Sequence, residues 1–375
     1  MDAPARPEAE PAEQDEAVDC SILVPLLNEQ LYIEDAVAAM RRQRFDGRLE
    51  FVFADGGSSD GTREILERLG REDRRIRVLD NPGRTVSSGL NVALGHARGQ
   101  WVARMDGHTR YPADYVTLGV ERLLRGGTRW VSGPPIPVGD NPISRAVALA
   151  LRTPLGRGGS RKWALETDAD RGEFELDSGV FAGVWERATL LEYQGWDEHW
   201  ESNEDSELAG RFLARGERLI CLSRMAASYA PRRTIRGLWR QYHLYGRERA
   251  HTAARHPQTV RPSQVLPPAI VIAGAAALVG PKPLRSLARF GLRAYGAVLL
   301  WAGFDAMLDQ PGPDALLVPI VLATMHVAHG SGTLRWFARH PPTPGLLIRL
   351  ARPPRGATAA EAARAGEVFN PSLSR

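Results

Sequence analysis

The chain has 375 residues, 43% of them hydrophobic and 25% charged, which excludes a mainly disordered or fibrous protein and leaves room for one large domain or two. Two cysteines, Cys20 and Cys221, are too few and too distant for a disulfide framework, so a reducing compartment is the default. The net charge of +4 conceals an asymmetry, because residues 1–19 hold seven acids against Arg6 alone and leave about +10 on the remainder.

That leader is rich in Ala and Pro, has no apolar run long enough for a signal peptide, and reads as disordered. After it, short apolar runs alternate with helical patterns. Strands are expected at Cys20–Pro25, Leu49–Asp55, Ile76–Leu79, Trp101–Met105 and Trp130–Gly133. Helices are expected near 30–43, 61–70, 86–97 and 112–124. The alternation predicts an α/β fold whose parallel, helix-covered sheet presents ligands at its carboxyl ends. Polar clusters fall at those ends: PLLNE (25–29), DGGSSDGT (55–62), DNPGR (80–84) and MDGH (105–108). Four such ends suggest one polar site rather than four unrelated turns.

From Asn141 to about Arg171 the pattern loosens around the Gly-rich LGRGGSRK (155–162). Order returns at LDSGVFAGV (176–184) and GWDEHWESNEDSELAGRFLARG (195–216), which reads as a loop ending in a helix that starts near Asn203–Asp205. A basic, aromatic helix follows at 234–250. Between Arg211 and Arg261 twelve arginines face two acids, a balance suited to phosphorylated ligands or anionic lipid. No zinc-ligand spacing or helix-turn-helix signal supports nucleic acid. Lys162 and Lys282 are the lysines of the chain, a scarcity read as genome composition rather than function.

The motifs carry unequal weight. DGGSSDGT lacks both the P-loop ending and the dinucleotide glycine spacing, and Asp60 or Thr62 capping a helix would explain much of it. Asp55, at the strand tip, is the part a turn does not require. In NEDSEL, Glu204 and Asp205 either complement a helix dipole or supply a general base. Arg236 and Arg240 share one helix face, either a solvated face or a phosphate grip. Asp106 and His108 flank Gly107, as in a strand-to-loop turn or a metal site.

In this order, SILVPLLNE, FADGGSSDGT, DNPGRTVSSGLNVALGHARGQWVARMDGH, GWDE and NEDSEL resemble the family 2 glycosyltransferases with the GT-A fold, over about Cys20 to Arg255. DNPxxxxxxGLNxA, MDGH and WRQYxxYG resemble the succinoglycan-type exopolysaccharide branch. The resemblance implies a nucleotide-sugar site with Pro25, Asn28 and Glu29 by the nucleotide and Asp55 reading the base. It places Ser58 and Asp60 in the second loop, and Asn81 and Asn91 beside the ribose and diphosphate. Asp106 matches the first Asp of the family's Asp-x-Asp metal motif, and His108 stands at its third position. Asp205 matches the inverting base, with Glu204 beside it. Carboxylate and imidazole together suit Mn²⁺, whereas Mg²⁺ would rely on Asp106 and water.

The resulting expectation is an inverting, metal-dependent glycosyltransferase in cell-surface glycan synthesis. Asp205 deprotonates the acceptor, Arg240 steadies the departing nucleotide, and the acceptor is a lipid-linked saccharide or polyprenyl phosphate. A soluble acceptor and a non-catalytic nucleotide-sugar-binding protein are the alternatives. The expected organisation is a leader at 1–19, a catalytic domain at 20–255, membrane-associated helices at 256–340 and a tail at 341–375.

The uncharged stretches 262–281, 294–304 and 315–334 raise the question of membrane crossing. Charge placement favours an in-plane or re-entrant first segment. It then favours a two-helix hairpin over 290–308 and 315–334 with both ends cytoplasmic, and the catalytic domain on the cytoplasmic side. A wholly in-plane or buried arrangement is the alternative.

Overall fold

β1 (Cys20–Leu26) and β2 (Leu49–Asp55) are buried at every position, as expected of parallel strands covered on both faces. The computed structural model that reveals this describes residues 17–160, 162, 172–342 and 344–351. The remaining strands are β3 (Ile76–Asp80), β4 (Trp101–Arg104), β5 (Thr109–Arg110), β6 (Trp130–Ser132), β7 (Pro135–Pro137), β8 (Glu173–Leu176), β9 (Gly183–Glu186), β10 (Leu219–Leu222) and β11 (Ala227–Tyr229). They form an eight-stranded sheet in the order β3-β2-β1-β4-β9-β6-β10-β8, and a three-stranded sheet in the order β5-β11-β7. The large sheet is mostly parallel, with β9 antiparallel between β4 and β6 and β8 antiparallel at one edge.

Helices α1 (Ile33–Arg41), α2 (Thr62–Glu72), α3 (Val86–His96), α4 (Tyr115–Leu124), α5 (Pro142–Arg152), α6 (Pro154–Arg157), α7 (Arg187–Glu192) and α8 (Glu204–Ala214) accompany these strands. The expected elements therefore form, with small shifts at their ends. The largest is at α1, because Asn28 takes a left-handed φ of 58° and the residues up to Tyr32 go into a loop. At α2 the N-cap is Gly61, at φ 91°, rather than Asp60 or Thr62. Asp60 instead accepts from the Thr62 and Gln30 amides, tying the first loop to the second. At α3, Thr85 and Ser88 form a reciprocal capping box.

The register gathers the site. Leu26 pairs with Asp55, and Asp55 with Asp80, so the first three strand tips share one rung. β4 pairs with β1 as far as Leu23, which leaves Pro25 beyond its reach, where a missing N–H costs no ladder bond.

The C-terminal third comprises α9 (Ile235–Arg255), α10 (Leu266–Val279), α11 (Lys282–Asp309), α12 (Val318–Phe337) and α13 (Pro344–Ala351). α12 runs beside α9 in the same direction. Leu238 clusters with Val318, Val321 and Leu322, Gly246 lies on the His329 carbonyl, and Phe337 packs against Ala253. The segment expected as the second limb of a hairpin thus lies along a helix whose Arg236 and Arg240 are exposed. α10 and α11 present Ile272, Leu278, Leu287, Phe290, Leu300 and Trp301 outward. The leader up to residue 16 and the tail from residue 352 lie outside the described residues.

A Cβ on Gly246 would stand 1.9 Å from the His329 carbonyl oxygen, so Gly246→Ala must push α12 away from α9. The expected cost is about 1–3 kcal/mol, the usual scale of overpacking. Thermal unfolding monitored by circular dichroism measures it, and a variant melting together with the wild type would count against this close packing.

Candidate active site

The first loop is held to the second by its own backbone. Asn28 N–H donates to Ser58 Oγ (2.9 Å), Ser59 N–H donates to Asn28 Oδ1 (2.8 Å), and Glu29 N–H donates to Thr62 Oγ1 (2.8 Å). Ser58 in turn donates from both N–H and Oγ to Asp55 Oδ1, at 3.0 and 2.6 Å. That fixes the Asp55 carboxylate at the end of β2 with its side chain fully buried. Its second oxygen has no hydrogen-bond partner among the described residues, and the nearest cation, Arg63, stands 3.6 Å away. A buried carboxylate oxygen left this way is free to accept from an N–H group of a bound base.

Asn81 and Asn91 are engaged inside the protein. The Asn81 amide donates to the Thr85 carbonyl and accepts from Ser88 Oγ. The Asn91 amide bonds both backbone groups of Trp196 and donates to Glu198. Each therefore shapes a loop at the sheet edge.

Beyond β4, the Asp106 backbone N–H donates to the Tyr111 hydroxyl oxygen, and the Asp106 carboxylate accepts from the Arg104 guanidinium. Arg104 is buried at 4% exposure and lies 3.1 Å from Asp106 Oδ1 and 2.8 Å from Glu204 Oε1. One side chain therefore joins the strand carrying Asp106 to the first turn of α8. Burial opposes its charge, but Asp106, Glu204 and Asp205 outweigh burial and hold it firmly protonated. Burial, helped by the neighbouring Asp205, raises Glu204 above the ordinary carboxylate range against the pull of Arg104.

His108 donates from Nδ1 to Glu29 Oε1 at 2.9 Å, which leaves Nε2 as a lone-pair donor. Burial works against its protonation, but the Glu29 hydrogen bond and charge raise its pKa while Arg232 pulls it down. The residues fit a divalent cation. Asp106 offers a carboxylate, and an imidazole oriented by a second carboxylate is a common metal ligand. No cluster of three or more His, Cys, Asp or Glu forms a cage among the described residues, so a donor diphosphate and water would complete the shell.

Asp205 sits one residue into α8, with Lys162 Nζ 4.0 Å from Oδ2. Lys162 also donates to the Gly179 carbonyl, and a Cβ on Gly179 would stand 2.1 Å from the Asp205 carbonyl, so the Asp177–Gly179 loop lies directly on Asp205. Arg240 is exposed on α9. The cation whose field reaches His108 is Arg232, just ahead of that helix.

Sequence reasoning passed over Arg104, although an arginine inside the apolar WVARM was a usable signal. It also set aside Lys162, whose rarity was the clue. Glu29 as the partner of His108 had no local signal, since 79 residues separate them.

Residues 21–176 match the glycosyl transferase family 2 description. The chain is 33% identical over 319 residues to the succinoglycan biosynthesis protein ExoA of Rhizobium meliloti, covering 84% of this chain and 93% of that one. Over 88 residues it is 31% identical to a Campylobacter jejuni GalNAc(5)-diNAcBac-PP-undecaprenol beta-1,3-glucosyltransferase, which is 23% of this chain and 28% of the relative. Its fold is similar to that of the mannosyltransferase PcManGT of Pyrobaculum calidifontis, solved with GDP-Man and Mn²⁺. There the TM-score is 0.54 at 20% identity, over 86% of this chain and 90% of that one. The GT-A arrangement of strand tips and the extended match to ExoA lead to one conclusion: the chain belongs to the family 2 glycosyltransferases.

Proposed function

We propose that this glycosyltransferase is inverting and metal-dependent, and that it moves a hexose from a nucleoside-diphosphate donor to a hydroxyl of a lipid-linked saccharide. The observation that carries this reading is the contrast between two adjacent carboxylates. Glu204 is held by Arg104, whereas the Asp205 side chain accepts no hydrogen bond from the described residues and keeps its lone pairs for a substrate.

Asp55 would accept from the base, with Asn28, Ser58 and Asp60 holding the loops that enclose the nucleotide and Pro25 and Glu29 beneath it. Asn81 and Asn91 would act by shaping those loops rather than by touching the diphosphate. Asp106 and His108 Nε2 would hold Mn²⁺ or Mg²⁺, which neutralises charge on the diphosphate when bound. Asp205 takes the acceptor proton as the hydroxyl oxygen bonds to the anomeric carbon. The carbon–oxygen bond to the diphosphate breaks on the opposite face, inverting the centre. Arg240, on the exposed face of α9, and Arg232, whose charge reaches His108, would be the cations that steady the departing nucleotide.

Membrane association is supported by the exposed apolar face of α10 and α11, which carries Lys282, Arg289 and Arg293 among its leucines. Two segments, Pro262–Val279 and Pro313–Phe337, are long and apolar enough to cross a bilayer. Yet α12 is seated on the charged α9, and a helix that close to exposed arginines belongs with the protein rather than in hydrocarbon. An in-plane seat on the cytoplasmic face, with cations against anionic lipid, suits this geometry better than the hairpin. A lipid-linked acceptor suits that location, and the Campylobacter relative bears an undecaprenol-linked substrate in its name.

Three outcomes test these assignments. Asp205→Asn removes basicity at constant size, so transfer should fall by about two to four powers of ten with donor binding nearly unchanged. Steady-state transfer and calorimetric titration with UDP and GDP measure the two, and near-normal turnover would sink the base assignment. Asp106→Ala should abolish metal-stimulated nucleotide binding, and His108→Ala should weaken it and change the preference between Mn²⁺ and Mg²⁺. Nucleotide binding that ignores chelation in the wild type would remove both roles. Finally, with Pro311→Cys, an impermeant thiol reagent should label permeabilised but not intact cells. Labelling of intact cells would restore the hairpin.

A further inference from the structure

The turn that carries Asp205 is held from two elements. Arg104 fixes Glu204 from β4, and Thr252 of α9 holds Asn203, the residue just ahead of it. The Thr252 side chain is fully buried, and its hydroxyl is used completely. It donates to the Glu248 carbonyl one turn back on α9 (3.0 Å), and it accepts from Trp200 Nε1 (3.0 Å) and Asn203 Nδ2 (2.9 Å). A threonine hydroxyl has one proton and two lone pairs, so nothing is left over. Because the proton goes to the helix backbone, both lone pairs serve the loop that leads into α8.

Asn203 indicates what this hold is for. It is the N-cap of α8, where an asparagine side chain ordinarily accepts from an amide of the first turn. Here it makes no such cap, takes a left-handed φ of 68°, and turns its carboxamide to Thr252 instead. Its backbone carbonyl accepts from the Ser206 and Glu207 amides, so the turn holding Glu204 and Asp205 is built on a residue tied to α9. Trp200, three residues earlier, is buried, with its ring stacked 3.9 Å from that of His251 and its carbonyl accepting from Ser87 Oγ. Ion pairs of Arg247 with Glu201 and of Arg255 with Asp197 join the same segments. α9 is fixed in turn by α12, whose Thr333 hydroxyl donates to the Gly246 carbonyl.

We propose that Thr252 and Asn203 are positioning residues for Asp205. Their hydrogen bond sets where the carboxylate stands in the cleft and, through α9, makes that place depend on the C-terminal helices. The proposal rests on the reading of Asp205 as the base and adds the residues through which it is aimed. Holds from β4 and from α9 suit a carboxylate that must meet a hydroxyl in line with the bond that breaks, where a shift of about 1 Å costs about a hundredfold in rate. A chain that needed only a stable helix start would have gained more from an ordinary cap.

The test compares full-length variants by nucleotide release from UDP-glucose and GDP-mannose, by calorimetric binding of UDP and GDP, and by hydrogen–deuterium exchange at the Ser206 and Glu207 amides. Asn203→Gly keeps the left-handed backbone and removes the link alone. It should lower turnover by about ten- to a hundredfold, the scale of a misplaced catalytic group, with nucleotide affinity unchanged and faster exchange at both amides. Thr252→Val should do the same, and the double variant should be no slower than the slower single one, since both remove one bond. Thr252→Ser keeps the hydroxyl and should turn over faster than Thr252→Val. Should Thr252→Val not fold, Asn203→Gly, at a partly exposed position, carries the test alone. Wild-type turnover in Asn203→Gly while Asp205→Asn is inactive would overturn the positioning role and leave the base in place. Wild-type turnover in Asp205→Asn would instead overturn the base assignment. Exchange at Ser206 and Glu207 that Asn203→Gly does not alter would overturn the link without need of any donor.

Discussion

A guanidinium inside a protein must be matched by acids, and the position of Arg104 decides which acids those are. Its carbon chain rises from β4, one residue short of the loop that carries Asp106, and its two ends reach Asp106 and Glu204 across 100 residues of sequence. Removing one partner of such a buried pair costs about 3–5 kcal/mol, because the other charge stays behind unpaired. The link is therefore rigid, and it sets the spacing between the donor end of the cleft and the first turn of α8. It also occupies Glu204, whereas the adjacent Asp205 carboxylate accepts no hydrogen bond from the described residues and has only Lys162 at 4.0 Å.

Around that link the protein spends polar groups on loops rather than on substrate. Asn28, Ser58, Asp60 and Thr62 lace the first two strand tips together, Asn81 closes the third, and Asn91 anchors the segment from Gly195 to Glu198 onto α3. What these bonds leave without a hydrogen bond among the described residues is small and specific: one oxygen of Asp55, near Arg63, one nitrogen of His108, and the carboxylate of Asp205, near Lys162. Pre-organisation of this kind places these groups before any ligand arrives.

The C-terminal helices are part of the same construction. Gly246, Gly330 and Gly332 let α12 approach α9 and α10 at backbone distance, so the apolar helices continue the catalytic domain rather than hang from it. α9, against which α12 packs, also turns Arg236 and Arg240 toward water.

Much of the fold could be read in the chain because its signals are local. Leu49–Asp55 was found to the residue, and the helices after β2 and β3 began where Gly61 and Thr85 break the chain. The positions of Asp55, Asp106 and Asp205 at element ends were legible as well, since each follows from a strand end or a helix start. What the sequence could not contain was pairing at long range. β9 entering antiparallel between β4 and β6, Glu29 meeting His108, and Arg104 meeting Glu204 depend on which surfaces come together once apolar faces are buried. The uncharged run at 315–334 makes the same point. Hydropathy records that a helix avoids water, but only the packed chain decides whether protein or lipid replaces it, and here α9 lies against it.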